Sequence, residues 1–120
     1  MFDHFGIKVS DFENCVKFYQ LVLHPLKIEM KWIEESAAGF GKKGNKKVVF
    51  LIEKSNTSSQ VHTAFDGIDQ AGVNKFHEIG KSSGYRCNGE PGLREHYAPN
   101  YYAAFLLDPD GNNIEAVVYT

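Results

Sequence analysis

Hydrophobic and polar positions follow two different periods along the chain, and the same order of periods occurs twice. Each half opens with a short run of aromatic and β-branched residues, "DHFGIKV" and "VHTAF", which predicts a strand. An aspartate then precedes a helical pattern, and aspartate is a favoured N-cap: Asp11 in the first half, Asp69 in the second. The spacing predicts that one apolar face of the first helix carries Phe12, Val16, Tyr19 and Leu23.

The second helix has a similar apolar face, formed by Val73, Phe76 and either Ile79 or Gly80. Strands are predicted after each helix, because short apolar runs there are separated by turn-forming residues. The runs of the first half are "IEMKWIE" and "KVVFLIE", with a Gly-rich hairpin region, "AAGFGKKGN", between them; those of the second half are "YRCNG", "YYAAFLLD" and "NNIEAVVYT". Alternation in "IEMKWIE" predicts that one face of this strand carries Ile28, Met30 and Trp32.

The two halves also share identical residues at a constant spacing. The pairs separated by 58 positions are His4 and His62, Asp11 and Asp69, Lys17 and Lys75, and Phe18 and Phe76. Together with the repeated order of elements, this spacing predicts a duplicated α+β domain over residues 1–120. Each half is a βαβββ module: module one spans 1–54, the polar linker spans 55–60, and module two spans 61–120.

Composition and charge narrow the classes of partner. The formal net charge is −2 and the pI is near 6.2, so there is no basic patch to attract nucleic acid or a membrane surface. The apolar runs are far too short to span a bilayer, and the N-terminus lacks the pattern of a signal peptide. Cys15 and Cys87 form neither a metal motif nor a disulfide framework. We therefore expect two reduced cysteines in a cytoplasmic protein.

Candidate metal ligands come from the repeat. His4 and His62 occupy equivalent positions, so their side chains are expected to point into a shared cavity if the modules pack about a pseudo-twofold axis. With the carboxylate of Glu115 they would form a facial site of two imidazoles and one carboxylate, which leaves positions open for substrate. Alternation also allows Glu115 to face solvent, with Ile114 and Ala116 on the opposite, apolar face. The sequence leaves that choice open.

A second group of candidates lies in "GLREHYAPNYYAAF", which precedes the late strands. Loops beside a rigid sheet often carry binding residues, although aromatic side chains there can serve packing alone. Arg94 could bind a carboxylate or phosphate, and His96 or Tyr102 could transfer a proton. Tyr97 and Tyr101 are predicted to contact the substrate.

Four stretches resemble the vicinal oxygen chelate superfamily: "DHFGIKVSD", "FYQLVLHPL", "VHTAF" and "YYAAFLLDPDGNNIEAV". This superfamily comprises glyoxalase I, extradiol dioxygenases, and bleomycin and fosfomycin resistance proteins, and the resemblance covers essentially the full chain. It implies paired βαβββ modules whose curved mixed sheet encloses a central cavity. By position, the family's metal ligands fall on His4, His62 and Glu115. The resemblance further implies a divalent Fe, Mn, Ni or Zn ion, allows glutathione as a co-substrate, and allows a homodimer.

One position departs from the glyoxalase pattern. Glyoxalase I has a fourth ligand on the last strand of its first module, and a parallel with Glu115 places Phe50 there, where it could contact substrate instead. Glu53 lies three residues further and should face the other side of that strand. The resemblance implies a metal-dependent lyase, isomerase or dioxygenase acting on a small oxygenated substrate. The alternatives are a metal-free sequestering protein of the bleomycin-resistance type, and a degenerate member whose histidines are structural.

Overall fold

The computed structural model describes residues 1–120 and contains eight strands and two α-helices in the order βαβββ–βαβββ. The elements of module one are β1 (Phe5–Val9), α1 (Phe12–Leu23), β2 (Ile28–Ile33), β3 (Ala37–Lys42) and β4 (Phe50–Lys54). The elements of module two are β5 (His62–Asp66), α2 (Gln70–Ser82), β6 (Arg86–Leu93), β7 (Tyr101–Leu107) and β8 (Asn113–Tyr119). Neither helix has the length and apolar character needed to cross a membrane.

Each module forms one four-stranded mixed sheet, and the two sheets have the same topology. Their strand orders are β1-β4-β3-β2 and β5-β8-β7-β6. The first strand of each module pairs in parallel with the last, and the remaining pairs are antiparallel. The predicted α+β fold of two βαβββ modules is therefore confirmed, and β1 and β5 are the equivalent edge strands on which His4 and His62 were expected.

One hydrophobic core of 21 buried residues joins both modules. The predicted apolar face of α1 is buried, and its Tyr19 packs edge-on against Phe50 with ring centroids 5.0 Å apart. Phe50 in turn contacts Phe65 of module two at 5.4 Å. The side of each sheet that packs against α1 and α2 is called the helix face. The opposite side of each sheet, which points away from α1 and α2, is called the open face below.

The two helices begin in different ways. Asp69 acts as the predicted N-cap of α2, because its side chain accepts a 2.7 Å hydrogen bond from the Gly72 amide. Asp11 occupies the corresponding position of α1, but its side chain caps no backbone amide. Asp110 of the β7–β8 turn instead binds the residues just before the helix, accepting hydrogen bonds from the amides of Ser10 at 2.7 Å and of Asp11 at 2.8 Å. A residue of module two therefore holds the segment that leads into α1.

The same carboxylate is held by the linker between the modules. The hydroxyl groups of Ser58 and Ser10 both donate to Oδ2 of Asp110. Burial acts to raise the pKa of Asp110, but the hydrogen bonds from Ser58, Ser10 and Asp11 outweigh it and hold the pKa below its ordinary value. Asp110 is thus a charged acceptor that ties together the linker, α1 and the β7–β8 turn.

Strand β2 departs from simple alternation. Its register with β3 shifts between Met30 and Trp32, so Met30 pairs with Phe40 while Trp32 pairs with Gly39. The expectation that Ile28, Met30 and Trp32 share one face is therefore wrong for Trp32, because the bulge turns it to the open face. Its indole lies against Gly39, where even a β-carbon would come within 2.7 Å of the ring.

Candidate functional site

The two equivalent edge strands line one groove. This groove has a volume of about 370 Å³, and its walls include Phe5 and Gly6 of β1 and His62 and Ala64 of β5. Most of its lining is hydrophobic. The expectation of a shared cavity between the first strands of the two modules thus has a structural counterpart, which His62 enters directly.

Glu115 lies on the open face of the second sheet. It is the Cα partner of Ala64 on β5 and of Phe105 on β7, while its neighbours Ile114 and Ala116 point into the core. The sequence allowed Glu115 to face either a cavity or solvent. In the structure its side chain does not face solvent, since Glu115 is only 1% exposed. Burying a carboxylate is costly unless specific partners compensate for the lost water.

Glu115 has one partner on each carboxylate oxygen. Nε2 of His62 lies 2.8 Å from Oε1, and the hydroxyl of Tyr101 donates to Oε2. Burial raises the pKa of Tyr101 well above its ordinary value, and the hydrogen bond to Glu115 raises it further, so the phenol stays protonated. The His62 side chain remains 55% exposed, so the imidazole connects the buried carboxylate to solvent.

His4 does not join this pair. Its Nδ1 instead lies 2.7 Å from Oδ1 of Asp3, and its side chain is 54% exposed. The potential ligand atoms of His4, His62 and Glu115 do not converge within 4.8 Å in the single chain. The structure therefore brings together two of the three ligands that the sequence suggested.

The expected register at the fourth position was off by one residue. Gly6 of β1 pairs with Leu51, just as Ala64 of β5 pairs with Glu115, so Leu51 and not Phe50 is the counterpart of Glu115. Phe50 is fully buried on the helix face, where it cannot contact a substrate. The fourth position still lacks a carboxylate, because Leu51 is apolar.

The corrected register also changes the face of β4 on which Glu53 lies. Two residues beyond Leu51, it lies on the open face rather than on the opposite side as expected. Its carboxylate leans back along the strand, since a β-carbon on Gly6 would lie 3.7 Å from Oε1 of Glu53. Glu53 is therefore a carboxylate of module one on the open face of β4, next to the edge strand β1.

The guanidinium group of Arg94 is occupied by hydrogen bonds within the protein. Nη1 donates to the carbonyls of Gly92 at 2.8 Å and Ala103 at 2.7 Å, and Nη2 donates to that of Glu90 at 2.7 Å. The guanidinium also lies 5.2 Å from the ring centroid of Phe105, which pairs with Glu115. These contacts hold β6 to β7 and support the wall of the site. They leave Arg94 little capacity to clamp a substrate anion.

The aromatic candidates divide between the two faces of β7. Tyr102, proposed from the sequence as a proton donor, points to the helix face and donates a 2.6 Å hydrogen bond to Asn74 of α2. Tyr101 is the tyrosine that reaches Glu115, so alternation reverses the expected roles. Tyr97 stacks edge-on against Tyr101 at 5.3 Å, and His96 lies against Tyr97 at 4.3 Å. His96 therefore lies at the rim of this aromatic group, without a contact to Glu115.

Three features of the structure escaped the sequence interpretation. Glu53 was set aside because of the register error, and Trp32 because the bulge in β2 leaves no clear signal in the sequence. His77 has no part in the sequence interpretation, although it is buried, at 3% exposure. Its signal was present, because it follows Val73 by four positions and so shares the apolar face of α2.

Known protein families and solved structures include relatives of this chain. A family model described as the "Glyoxalase/Bleomycin resistance protein/Dioxygenase superfamily" matches residues 1–116. A search of curated protein sequences finds no match.

Solved structures resemble the chain over nearly its whole length. A glyoxalase/bleomycin resistance protein from Albidiferax ferrireducens is 28% identical, with a TM-score of 0.75 and 98% of both chains covered. A lactoylglutathione lyase from Agrobacterium tumefaciens is 18% identical, with a TM-score of 0.69, covering 98% of this chain and 92% of the other. A fosfomycin resistance protein from Mesorhizobium loti is 19% identical, with a TM-score of 0.70, covering 100% and 92%. The last two likenesses show the fold alone.

Proposed function

Because the chain belongs to the glyoxalase/bleomycin resistance protein/dioxygenase superfamily, we propose that it is a divalent-metal-dependent enzyme of the lyase, isomerase or dioxygenase type. Its substrate would be a small molecule that chelates the ion through adjacent oxygens. One observation carries the proposal: the buried carboxylate of Glu115 is held between His62 and Tyr101 beside an open groove. The two unpaired cysteines fit a reducing, cytoplasmic location.

The donor atoms fit a metal ion. Carboxylate oxygens and imidazole nitrogens bind divalent ions at about 2.0 to 2.2 Å, so two such ligands at a right angle lie about 3 Å apart. Oε1 of Glu115 and Nε2 of His62 are 2.8 Å apart, which suits a shared ion in place of their hydrogen bond. Such an ion supplies Lewis-acid polarisation of the substrate oxygens.

The protein side chains around this pair have separable roles. Tyr101 occupies Oε2 of Glu115 and fixes the carboxylate plane, so Oε1, which faces His62, is the oxygen that would bind an ion or accept a substrate proton. Phe105 lies beside His62, with ring centroids 6.2 Å apart, and contributes an apolar wall next to the imidazole. On the sister sheet, Leu51 and Trp32 give the open face an apolar surface. These residues favour a substrate with a small apolar body next to its chelating oxygens.

Metal content tests the proposal directly. Purified without a His tag and reconstituted with Fe²⁺, Mn²⁺, Ni²⁺ or Zn²⁺, the wild-type protein should bind one of these ions nearly stoichiometrically. Glu115→Gln should weaken that affinity by about 100-fold or more, since even outer-sphere partners of a metal site contribute 10- to 100-fold. Elemental analysis and calorimetric titration measure both quantities. Glu78→Gln is the matched control, because Glu78 is exposed on α2 and should leave affinity unchanged.

A wild-type protein that stays metal-free after reconstitution would contradict this proposal. It would favour the metal-free sequestering alternative and direct the search towards a bound organic ligand. A loaded protein, in contrast, is the material in which to screen small carbonyl and vicinal-diol compounds, with and without glutathione as a co-substrate.

For the third ligand we propose His4 of a second copy of the chain in a homodimer. Within one chain, His4 does not converge with His62 and Glu115, and both half-sites remain open to solvent. Mixing His4→Ala with Glu115→Gln should then restore metal binding, because each mixed dimer regains one site in which all three ligands are intact. If all ligands came from the same chain, no site would be intact in the mixture. Sedimentation of the separate and mixed proteins would establish that dimers form.

A further inference from the structure

A second cluster of reactive side chains lies on the other side of the second sheet. Its members are His77 in the middle of α2, and Cys87 and Glu90 on the edge strand β6. Cys87 pairs with Leu106, whose side chain packs beneath Gly80 of α2, so the cysteine lies on the helix face. The sheet therefore separates this cluster from Glu115, and the cluster has no part in the metal site proposed above.

The imidazole of His77 connects the other two side chains. Nε2 lies 3.1 Å from Sγ of Cys87, and Nδ1 lies 3.5 Å from Oε2 of Glu90. The remaining oxygen of Glu90 accepts a 3.1 Å hydrogen bond from Nζ of Lys81, which fixes the carboxylate. The Gly89 amide donates a 3.4 Å hydrogen bond to the same sulfur. Thiol, imidazole and carboxylate thus form a linear chain of contacts.

This order of groups determines the proton positions. The carboxylate beside Nδ1 favours the tautomer that carries its proton there, which leaves the lone pair of Nε2 directed at the thiol. Burial of His77 lowers its pKa, so the imidazole is neutral near pH 7 and able to accept a proton. Negative charge that develops on sulfur would be stabilised by the Gly89 amide.

Accessibility distinguishes the two cysteines. Cys87 is exposed, whereas Cys15 is buried in the core. Burial raises the pKa of the Cys15 thiol well above its ordinary range, and the nearby carboxylates of Asp108 and Asp110 raise it further. Cys15 is therefore inert in the folded protein, and any reaction of the native protein with a thiol reagent reports on Cys87.

The arrangement suits a nucleophile better than a chelate. A metal ion uses one ring nitrogen of a histidine, but Cys87 and Glu90 approach different nitrogens of His77. One ligand atom from each of His77, Cys87 and Glu90 lies within 4.8 Å of the others, so a chelator is needed to keep an ion from occupying the cluster. Contacts at both nitrogens are instead what a base needs when it is oriented by a third group.

We propose that Cys87 is a nucleophilic thiol, with His77 as its base and Glu90 as the positioning residue, and that it forms a mixed disulfide with small-molecule disulfides. The thiol proton passes to Nε2 of His77 as the sulfur attacks one sulfur atom of the disulfide. A new S–S bond forms to Cys87, and the S–S bond of the reagent breaks. The departing thiolate takes up the proton from Nε2, so charge and electrons balance without another oxidant.

The first test compares folded and unfolded wild-type protein. A chromogenic aromatic disulfide and oxidised glutathione serve as probes at pH 7 in the presence of a chelator, and peptide mass spectrometry follows Cys87 separately from Cys15. Folded protein should react at Cys87 about tenfold faster or more than urea-unfolded protein, because only the fold supplies the base. Equal or slower reaction in the folded state would overturn the proposal. Tight Zn²⁺ binding by a slowly reacting Cys87 would replace it with a metal site.

Variants then assign the roles. Cys87→Ser should abolish modification of the native protein. His77→Gln should slow the reaction at least tenfold and remove from the pH–rate profile the step that reports protonation of the imidazole. Glu90→Gln changes an exposed side chain and should fold normally, so it should slow the reaction severalfold at an unchanged melting temperature. Unchanged rates and profiles in both folded variants would overturn the triad.

Discussion

Replacing Asp108 by alanine is expected to lower the free energy of unfolding by about 3 to 5 kcal/mol. Asp108 lies at the end of β7 and is almost completely buried. Its Oδ2 accepts hydrogen bonds from the Tyr19 hydroxyl at 2.6 Å and from Nδ2 of Asn112 at 2.9 Å. Its Oδ1 accepts two more, from the amides of Asp110 and Asn112. Removal leaves several buried donors without an acceptor, and each such group is costly.

Urea unfolding followed by circular dichroism measures this loss. Tyr19→Phe removes only one of the four donors, and should cost about 1 to 2 kcal/mol. Glu34→Ala, at an exposed acidic residue between β2 and β3, should stay within about 0.5 kcal/mol of wild type. An Asp108→Ala protein as stable as the Glu34 variant would show that this network contributes little to the fold.

Replacing Phe50 by alanine is expected to lower the free energy of unfolding by about 3 to 5 kcal/mol. Its ring is fully buried and lies 5.0 Å from the rings of both Phe5 and Tyr19. Leu51→Ala is the matched neighbour, and because Leu51 is only partly buried on the open face it should cost about 1 kcal/mol.

The comparison of these two variants tests the register of β4 as well as the packing of the core. Thermal and urea unfolding should rank Phe50→Ala far below Leu51→Ala in stability. The reverse ranking would place Phe50 on the open face and Leu51 in the core, as the sequence had suggested for Phe50. The assignment of Leu51 as the counterpart of Glu115 would then be wrong.

Much of the fold could be predicted from the sequence, because the two modules repeat the same order of elements and each supports the prediction made for the other. The spacing of 58 positions between His4 and His62 identifies equivalent strands, and their elements follow in the same order. Individual faces were harder to predict. The side chains of a strand alternate, so a one-residue error in comparing Phe50 with Glu115 exchanges the core for the open face. The bulge at Trp32 produces the same exchange within a single strand.

The site depends on contacts between strands, which the pattern of hydrophobic and polar residues does not predict. Alternation around Glu115 is compatible with either face, and only the pairing of β8 with β5 and β7 places it beside His62 and Tyr101. Tyr101 and Tyr102 are adjacent and chemically identical, so their roles follow from which face each one occupies. The contact between His77 and Cys87 joins a helix to a strand, and no local spacing encodes it.

The hold of Asp110 on the segment that leads into α1 has a consequence for separating the two modules. The amide of Asp11 binds a carboxylate 99 positions away, while α2 is capped locally by Asp69. Expressed alone, module two would keep the cap of its own helix, whereas module one would lose the acceptor at the entry to its helix. The two halves are alike in topology, but they are not interchangeable parts.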